Sequence, residues 1–282
     1  MPVLLRLLLV LPLVAVSACA QPSYPARAER VLADDDWCDD TDRHDENRYR
    51  TCEVRETVTR AHALDVNGHP NGGVTVKRWN RDDVLVRARV LSTAPSQREA
   101  DRLVAQSQVV VHGGSIHSEM PDMDGRRHSS VSVSYEIFAP RQTDLAVRVV
   151  NGPIGIFGLD GTIRAEAVNG PIAMEDVSGD VQAHATNGPV SVSVEENAWR
   201  GAGLDVETVN GPVTLSVPRE FSARLAARTN VGRISIDGLR YDQGDRQRGR
   251  YVGDAIETTL GRGGAPVTLT TQNGPVRLRA VR

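Results

Sequence analysis

The chain has 282 residues, nearly balanced charge (33 basic against 36 acidic side chains, net −3) and an aromatic content of only 4%. Near-neutrality, with arginine scattered rather than clustered, excludes a polyelectrolyte partner such as nucleic acid. The paucity of aromatic rings argues against a carbohydrate-active enzyme, whose groove is usually flanked by rings that stack on sugars, and the length allows one or two domains.

The N-terminus reads as a secretory leader. Arg6 lies within an apolar run from Val3 to Val16, too short for a stable membrane-spanning helix, and small residues follow at Ser17-Ala18-Cys19-Ala20. Two cleavage readings compete. Ala18-Cys19-Ala20 fits an ordinary small-x-small site, whereas Val16-Ser17-Ala18-Cys19 resembles the bacterial lipobox, in which Cys19 becomes the acylated first residue. The cysteine count favours the second: with Cys19 acylated, the three cysteines leave Cys38 and Cys52 as an even pair that an oxidising compartment joins. Ala20 after the cysteine resembles the outer-membrane sorting pattern. The expected localisation is the cell envelope, with the membrane as partner through a lipid anchor. Residues 1–18 are then the signal peptide and 19–57 a tether. Asp34, Asp35, Asp36, Asp39, Asp40, Asp42, Asp45 and Glu46 crowd this tether around Trp37 and Cys38. Such a run could bind calcium, but it lacks the glycine and terminal glutamate of a calcium loop, so it reads as a solvated acidic linker.

From Val58 onward the pattern is β. Val58, Leu64 and Val66 precede Asn67-Gly68, and Val74 and Val76 follow Gly72-Gly73. After Trp79 comes an alternating strand from Val84 to Val90. A short helix is expected from Ser96 to Ala105, where Ser96 with Glu99 forms a capping-box signature and Ala100, Leu103 and Val104 give an apolar stripe. Val109-Val110-Val111 returns to strand. A loop from Gly113 to Ser130 is long enough to be mobile. His112 and His117, with His128, are its best metal-ligand candidates, yet no cysteine or carboxylate spacing completes a zinc set, and neither metal nor cofactor is expected. Val131 to Ile137 then leads to Pro140 and a repeat.

The repeat is announced by five Asn-Gly-Pro tripeptides, each followed by Ile or Val: Asn151-Gly152-Pro153, Asn169-Gly170-Pro171, Asn187-Gly188-Pro189, Asn210-Gly211-Pro212 and Asn273-Gly274-Pro275, with Asn230 in a degenerate copy. The first three recur every 18 residues; the next interval is 23 because of an insertion around Glu195–Gly203. A period near twenty is the mark of an array whose units bury their apolar faces against one another. Ile154 and Ile156 correspond to Ile172 and Met174 and then to Val190 and Val192. Ile163, Ala165 and Ala167 correspond to Val181, Ala183 and Ala185. All alternate with polar residues, as half-buried strands do.

Proline separates two topologies. A two-residue hairpin turn needs a backbone N–H after glycine, and the five prolines have none; as the first residue of a strand at a corner, proline is tolerated. The expected fold is all-β, a single elongated β-solenoid over 58–282 with Asn-Gly-Pro corners and a narrow, alanine-lined interior. Stacked asparagines could hydrogen-bond as a ladder; the plainer reading is that they only turn corners.

The order Asn-Gly, Trp, alternating strand, short helix, Val-rich strand, Tyr-Glu-Ile-Phe-Ala-Pro and serial strand–Asn-Gly–strand units resembles the bacterial putative-adhesin family of β-strand repeat domains, from Val58 to the C-terminus. The resemblance implies a β-helix-like fold on the envelope side of a membrane and supplies no catalytic residues.

The function expected is therefore a non-enzymatic, adhesin-like binding module with an envelope protein or glycan as partner. A periplasmic structural or stress scaffold is one alternative; a carbohydrate-active β-helix enzyme is another. Glycoside chemistry needs paired carboxylates in a groove, and outward acids such as Glu166, Asp205, Glu207 and Asp237 occur singly. Gly261-Arg262-Gly263-Gly264 lacks the residues of a phosphate loop. A contiguous Arg-lined surface would favour binding.

Overall fold

The computed structural model describes residues 37–38, 48–68, 70–126, 128–241, 246–248 and 253–281. Cys19, the leader and the acidic run lie outside them. From the N-terminus come β1 (Tyr49–Thr59), β2 (Ala63–Asn67), β3 (Val74–Arg78), β4 (Val84–Ala94), α1 (Gln97–Gln106), β5 (Gln108–His112), β6 (Ser115–Glu119) and β7 (Ser130–Ala139). The repeats follow as strand pairs: β8 (Asp144–Asn151) with β9 (Ile154–Phe157), β10 (Asp160–Asn169) with β11 (Ile172–Glu175), β12 (Ser178–Asn187) with β13 (Val190–Ser193), β14 (Gly203–Asn210) with β15 (Val213–Pro218), and β16 (Ala223–Val231) with β17 (Ile234–Asp237). The chain ends with β18 (Arg246–Arg248), β19 (Asp254–Leu260), β20 (Pro266–Asn273) and β21 (Val276–Val281).

The fold is all-β apart from the one described helix. Two large sheets form, neither closed into a barrel: a 10-stranded sheet in the order β1-β4-β7-β3-β9-β11-β13-β15-β21-β17 and an 11-stranded sheet in the order β18-β19-β16-β20-β14-β12-β10-β8-β2-β6-β5. The Asn-Gly-Pro units pair in parallel and in register: Ile163 opposes Val181, which opposes Leu204, which opposes Val267. In the other sheet Ile154, Ile172, Val190, Val213 and Val276 form the equivalent row. These rows are buried and belong to one continuous apolar cluster between the sheets. Ala165, Ala167, Ala183 and Ala185 are all buried, as a narrow interior requires.

Stacking does not follow chain order. β20 lies between β14 and β16, and β21 between β15 and β17, so the last unit of the sequence is inserted before the Asn230 copy. Within that copy Val231, not Asn230, takes the register of Asn273. At the other end the unit β2–β3 stacks directly on β8–β9. Its corner is Asn71-Gly72, since Gly72 donates its N–H to Asn151 and Val74 to Pro153; Asn67-Gly68 is not in the column.

Antiparallel pairing occurs where the repeat ends. β4 pairs antiparallel with β1 and β7, β16 with β19, β19 with β18, and β5 with β6. Two expectations change as a result. The stretch assigned to the tether is strand from Tyr49 onward, pairing residue by residue with β4. The loop expected from Gly113 begins instead as a hairpin, because Gly113 and Gly114 adopt positive φ and reverse the chain into β6.

The helix starts where expected. Ser96 caps it by accepting from the Glu99 N–H, while the Glu99 carboxylate leaves the capping box and accepts from the Ser129 hydroxyl. Its last turn has no basic residue of its own; Arg55 of β1 donates to the Val104 and Ser107 carbonyls instead. Glu53, chelating the same guanidinium, holds the Arg55 pKa above its ordinary value and is itself held low.

Candidate functional site

Three side-chain columns meet at the corners. The asparagines form a continuous ladder: Asn273 donates from Nδ2 to Asn210 Oδ1, Asn210 to Asn187, Asn187 to Asn169 and Asn169 to Asn151, each at 2.9 Å. Asn151 continues it to the Pro70 carbonyl and to Asn71 Oδ1. The ladder is thus more than a set of corner residues. Asn210, Asn187, Asn169 and Asn151 are each at once donor and acceptor, so each bond polarises the next.

Glycine forms the second column because the backbones touch. A Cβ on Gly170 would lie 1.9 Å from the Gly152 carbonyl oxygen; on Gly188, 2.1 Å from that of Gly170; on Gly274, 2.1 Å from that of Gly211. Proline forms the third column, and the ladder closes around it: the residue before glycine and the proline itself accept from Gly and Ile/Val of the preceding unit, as in Gly152 N–H to Asn169 and Ile154 N–H to Pro171. Buried hydroxyls reach the glycine carbonyls in the later units: Thr208 donates to Gly188, Thr271 to Gly211 and Thr229 to Gly274. The earlier units carry Ala167 and Ala185 at this place in the register.

The outward face of the 11-stranded sheet carries Glu166, His184 and Glu207 in one row. His184 Nδ1 stands 3.6 Å from Glu207. Asp205 and Glu207 share that face, so these acids do not stand singly. Partial burial, and then the Glu207 charge, raise the Asp205 pKa. A carboxyl whose folded pKa is raised costs stability above that pKa, and the cost vanishes below its unfolded value near 3.9. Asp205→Asn should therefore raise the melting temperature at pH 7 and lose that gain as the pH approaches 3, as followed by circular dichroism. Asp237 opposes Arg279 across strands. His112 and His117 lie on the β5–β6 hairpin and His128 in the following turn; among the described residues no group of three or more His, Cys, Asp or Glu side chains is placed to hold a metal ion.

At the edge carrying β1, Cys38 and Cys52 form a disulfide with Cα atoms 5.7 Å apart. It sets Trp37 against β4. Arg89 donates to the Trp37 carbonyl, and the Arg87 and Arg89 guanidiniums lie 5.7 and 5.6 Å from its ring. Arg87 is buried and bridges Glu56 and Glu136, and Glu136 also binds Lys77, the single lysine of the chain.

A concave site occurs at the second corners, where the chain leaves β13, β15, β17 and β19. Its volume is about 900 Å³. Arg200, Arg219, Arg240 and Arg262 line it together with Glu196 and Glu220. The insertion that lengthened the repeat builds one wall: Trp199 is buried with its indole N–H on the Gly179 carbonyl, which anchors Glu196 and Arg200 beside it. The opposite wall is held by the Ser222 hydroxyl, which accepts from the Arg262 N–H. Of these residues the sequence drew attention as a site only to Gly261-Arg262-Gly263, a run that lacks the residues of a phosphate loop; the rest come from connections far apart in the chain.

No family model matches the chain, and no curated protein matches its sequence. Among solved structures it is similar to a putative adhesin from Bacteroides fragilis (13% identity, 82% of this chain and 97% of that one, TM-score 0.39). It is also similar to a putative cell adhesion protein from Clostridium sporogenes (10% identity, 82% and 100%, TM-score 0.37) and a putative lipid binding protein from Parabacteroides distasonis (10% identity, 82% and 97%, TM-score 0.28).

Proposed function

We propose that this chain is an exported, lipid-anchored β-solenoid that serves the bacterial envelope as a non-enzymatic, adhesin-like binding module. The observation that supports a binding module is the arginine-lined cavity beside one end of the 10-stranded sheet. The disulfide ties Trp37–Cys38 to β1 at one edge of the 10-stranded sheet; β15, β21 and β17, beside the arginine-lined cavity, lie toward the other. Nine strand spacings of about 4.8 Å separate those edges, roughly 40 Å. No described helix is long and apolar enough to cross a membrane.

Mass spectrometry of the mature N-terminus, with membrane fractionation, tests the anchor. The expected product begins at acylated Cys19 and sediments with membranes; a soluble product beginning at Gln21 would refute anchoring. The enzymatic alternative would use this cavity, because Glu196 and Glu220 both line it. Were it right, the chain would cleave an oligosaccharide and Glu220→Gln would abolish the cleavage.

A further inference from the structure

Building on the binding-module reading, we infer that the cavity at the second corners takes an anionic saccharide, a sugar bearing phosphate or carboxylate groups. Four arginines line one concavity, against two glutamates. Glu196 lies 3.8 Å from Arg200, and among the described residues no carboxylate lies within ion-pairing distance of Arg219, Arg240 or Arg262. Planar guanidinium forks match the paired oxygens of phosphate and carboxylate, and converging from several connections they bind an oxyanion better than any one could.

The rest of the lining narrows the ligand class. A volume of about 900 Å³ lies at the upper end of small-ligand clefts, roughly 300–1,000 Å³. A lone inorganic anion would leave most of that space to water and would face both glutamates. An acyl chain would meet charged side chains, glycines and Ala198 rather than an apolar wall. A sugar carries hydroxyl donors as well as its oxyanion, so Glu196, Glu220 and the Asn197 amide have groups to accept from. Single-stranded nucleic acid is disfavoured because no aromatic side chain lines the site.

The test is isothermal titration of the full chain, purified after export, with trigalacturonic acid, glucose 1,6-bisphosphate and neutral maltotriose. The expected result is binding of at least one anionic probe at least tenfold tighter than maltotriose, weakening as salt rises from 50 to 500 mM. The double variant Arg219→Gln/Arg262→Gln should bind that probe at least tenfold more weakly with an unchanged melting temperature, while Arg164→Gln on the outer wall should bind as the parent does. Maltotriose binding as well as the anions, or a double variant of unchanged affinity, would overturn the proposal. So would phosphatidylglycerol vesicles being held by these arginines while both anionic sugars are ignored, which would assign the site to a lipid headgroup. If envelope polysaccharide still binds the double variant, the site is wrong and the binding module stands; if the trisaccharide is cleaved, the module reading fails.

Discussion

Gly170→Ala should lower stability by about 4 kcal/mol or more, or prevent folding, which places it among the most damaging single-methyl additions. Its Cβ would sit 1.9 Å from the Gly152 carbonyl oxygen. Neither backbone can yield: Gly152 donates to Asn169, Ile154 donates to Pro171, and Gly170 donates in turn to Asn187. Relief requires opening the parallel ladder between two units, exposing the rows around Ile154 and Ile172. Gly113→Ala is the comparison. It has φ +56° but nothing within 4 Å of the added atom, so it should cost only about 1 kcal/mol of backbone strain. Urea denaturation of both variants decides the matter, and equal costs would mean that the units do not stack at this spacing.

Removing the disulfide has the second largest expected effect. Cys38→Ser/Cys52→Ser frees a loop of 13 intervening residues. In the chain-entropy account such a closure is worth about 3 kcal/mol. It also releases Trp37 from the Arg87 and Arg89 guanidiniums. The double variant should therefore melt lower, show a changed tryptophan emission before global unfolding, and be insensitive to dithiothreitol. The parent should fall to the same midpoint when reduced. A variant that melts with the parent would show that β1 holds its place through pairing with β4 alone.

Local features of the fold were legible because each has a local cause. Proline after Asn-Gly removes the donor of a hairpin, and the units do pair in parallel. Ser96 offers a cap, and α1 begins after it. The stacking order was not legible, since every Asn-Gly-Pro unit presents the same local pattern to any neighbour. A clue was nonetheless present. Val231 stands in the asparagine register but can neither donate nor accept in an amide ladder, so the degenerate copy suits the end of the column, whereas Asn273 extends it from Asn210. Asn67-Gly68 drew attention by motif, yet Asn71-Gly72 holds the place because only there does glycine lie against Gly152. The cavity was not legible as a site: the insertion at Glu195–Gly203 and the Gly261-Arg262-Gly263-Gly264 run stood out separately, but its arginines are separated by up to 62 positions, from Arg200 to Arg262, and only the fold brings them together.

The insertion of β20 between β14 and β16 is tested most directly by cysteine cross-linking on the outward face. Asp205 and Thr268 are paired neighbours, as are Thr268 and Ala226, whereas Asp205 and Ala226 stand two strands apart, about 9.6 Å at the usual spacing. Under mild oxidation Asp205→Cys/Thr268→Cys should form a disulfide readily and Asp205→Cys/Ala226→Cys should not. The reverse outcome would put the units in chain order and contradict the insertion of β20 and β21 ahead of the Asn230 copy.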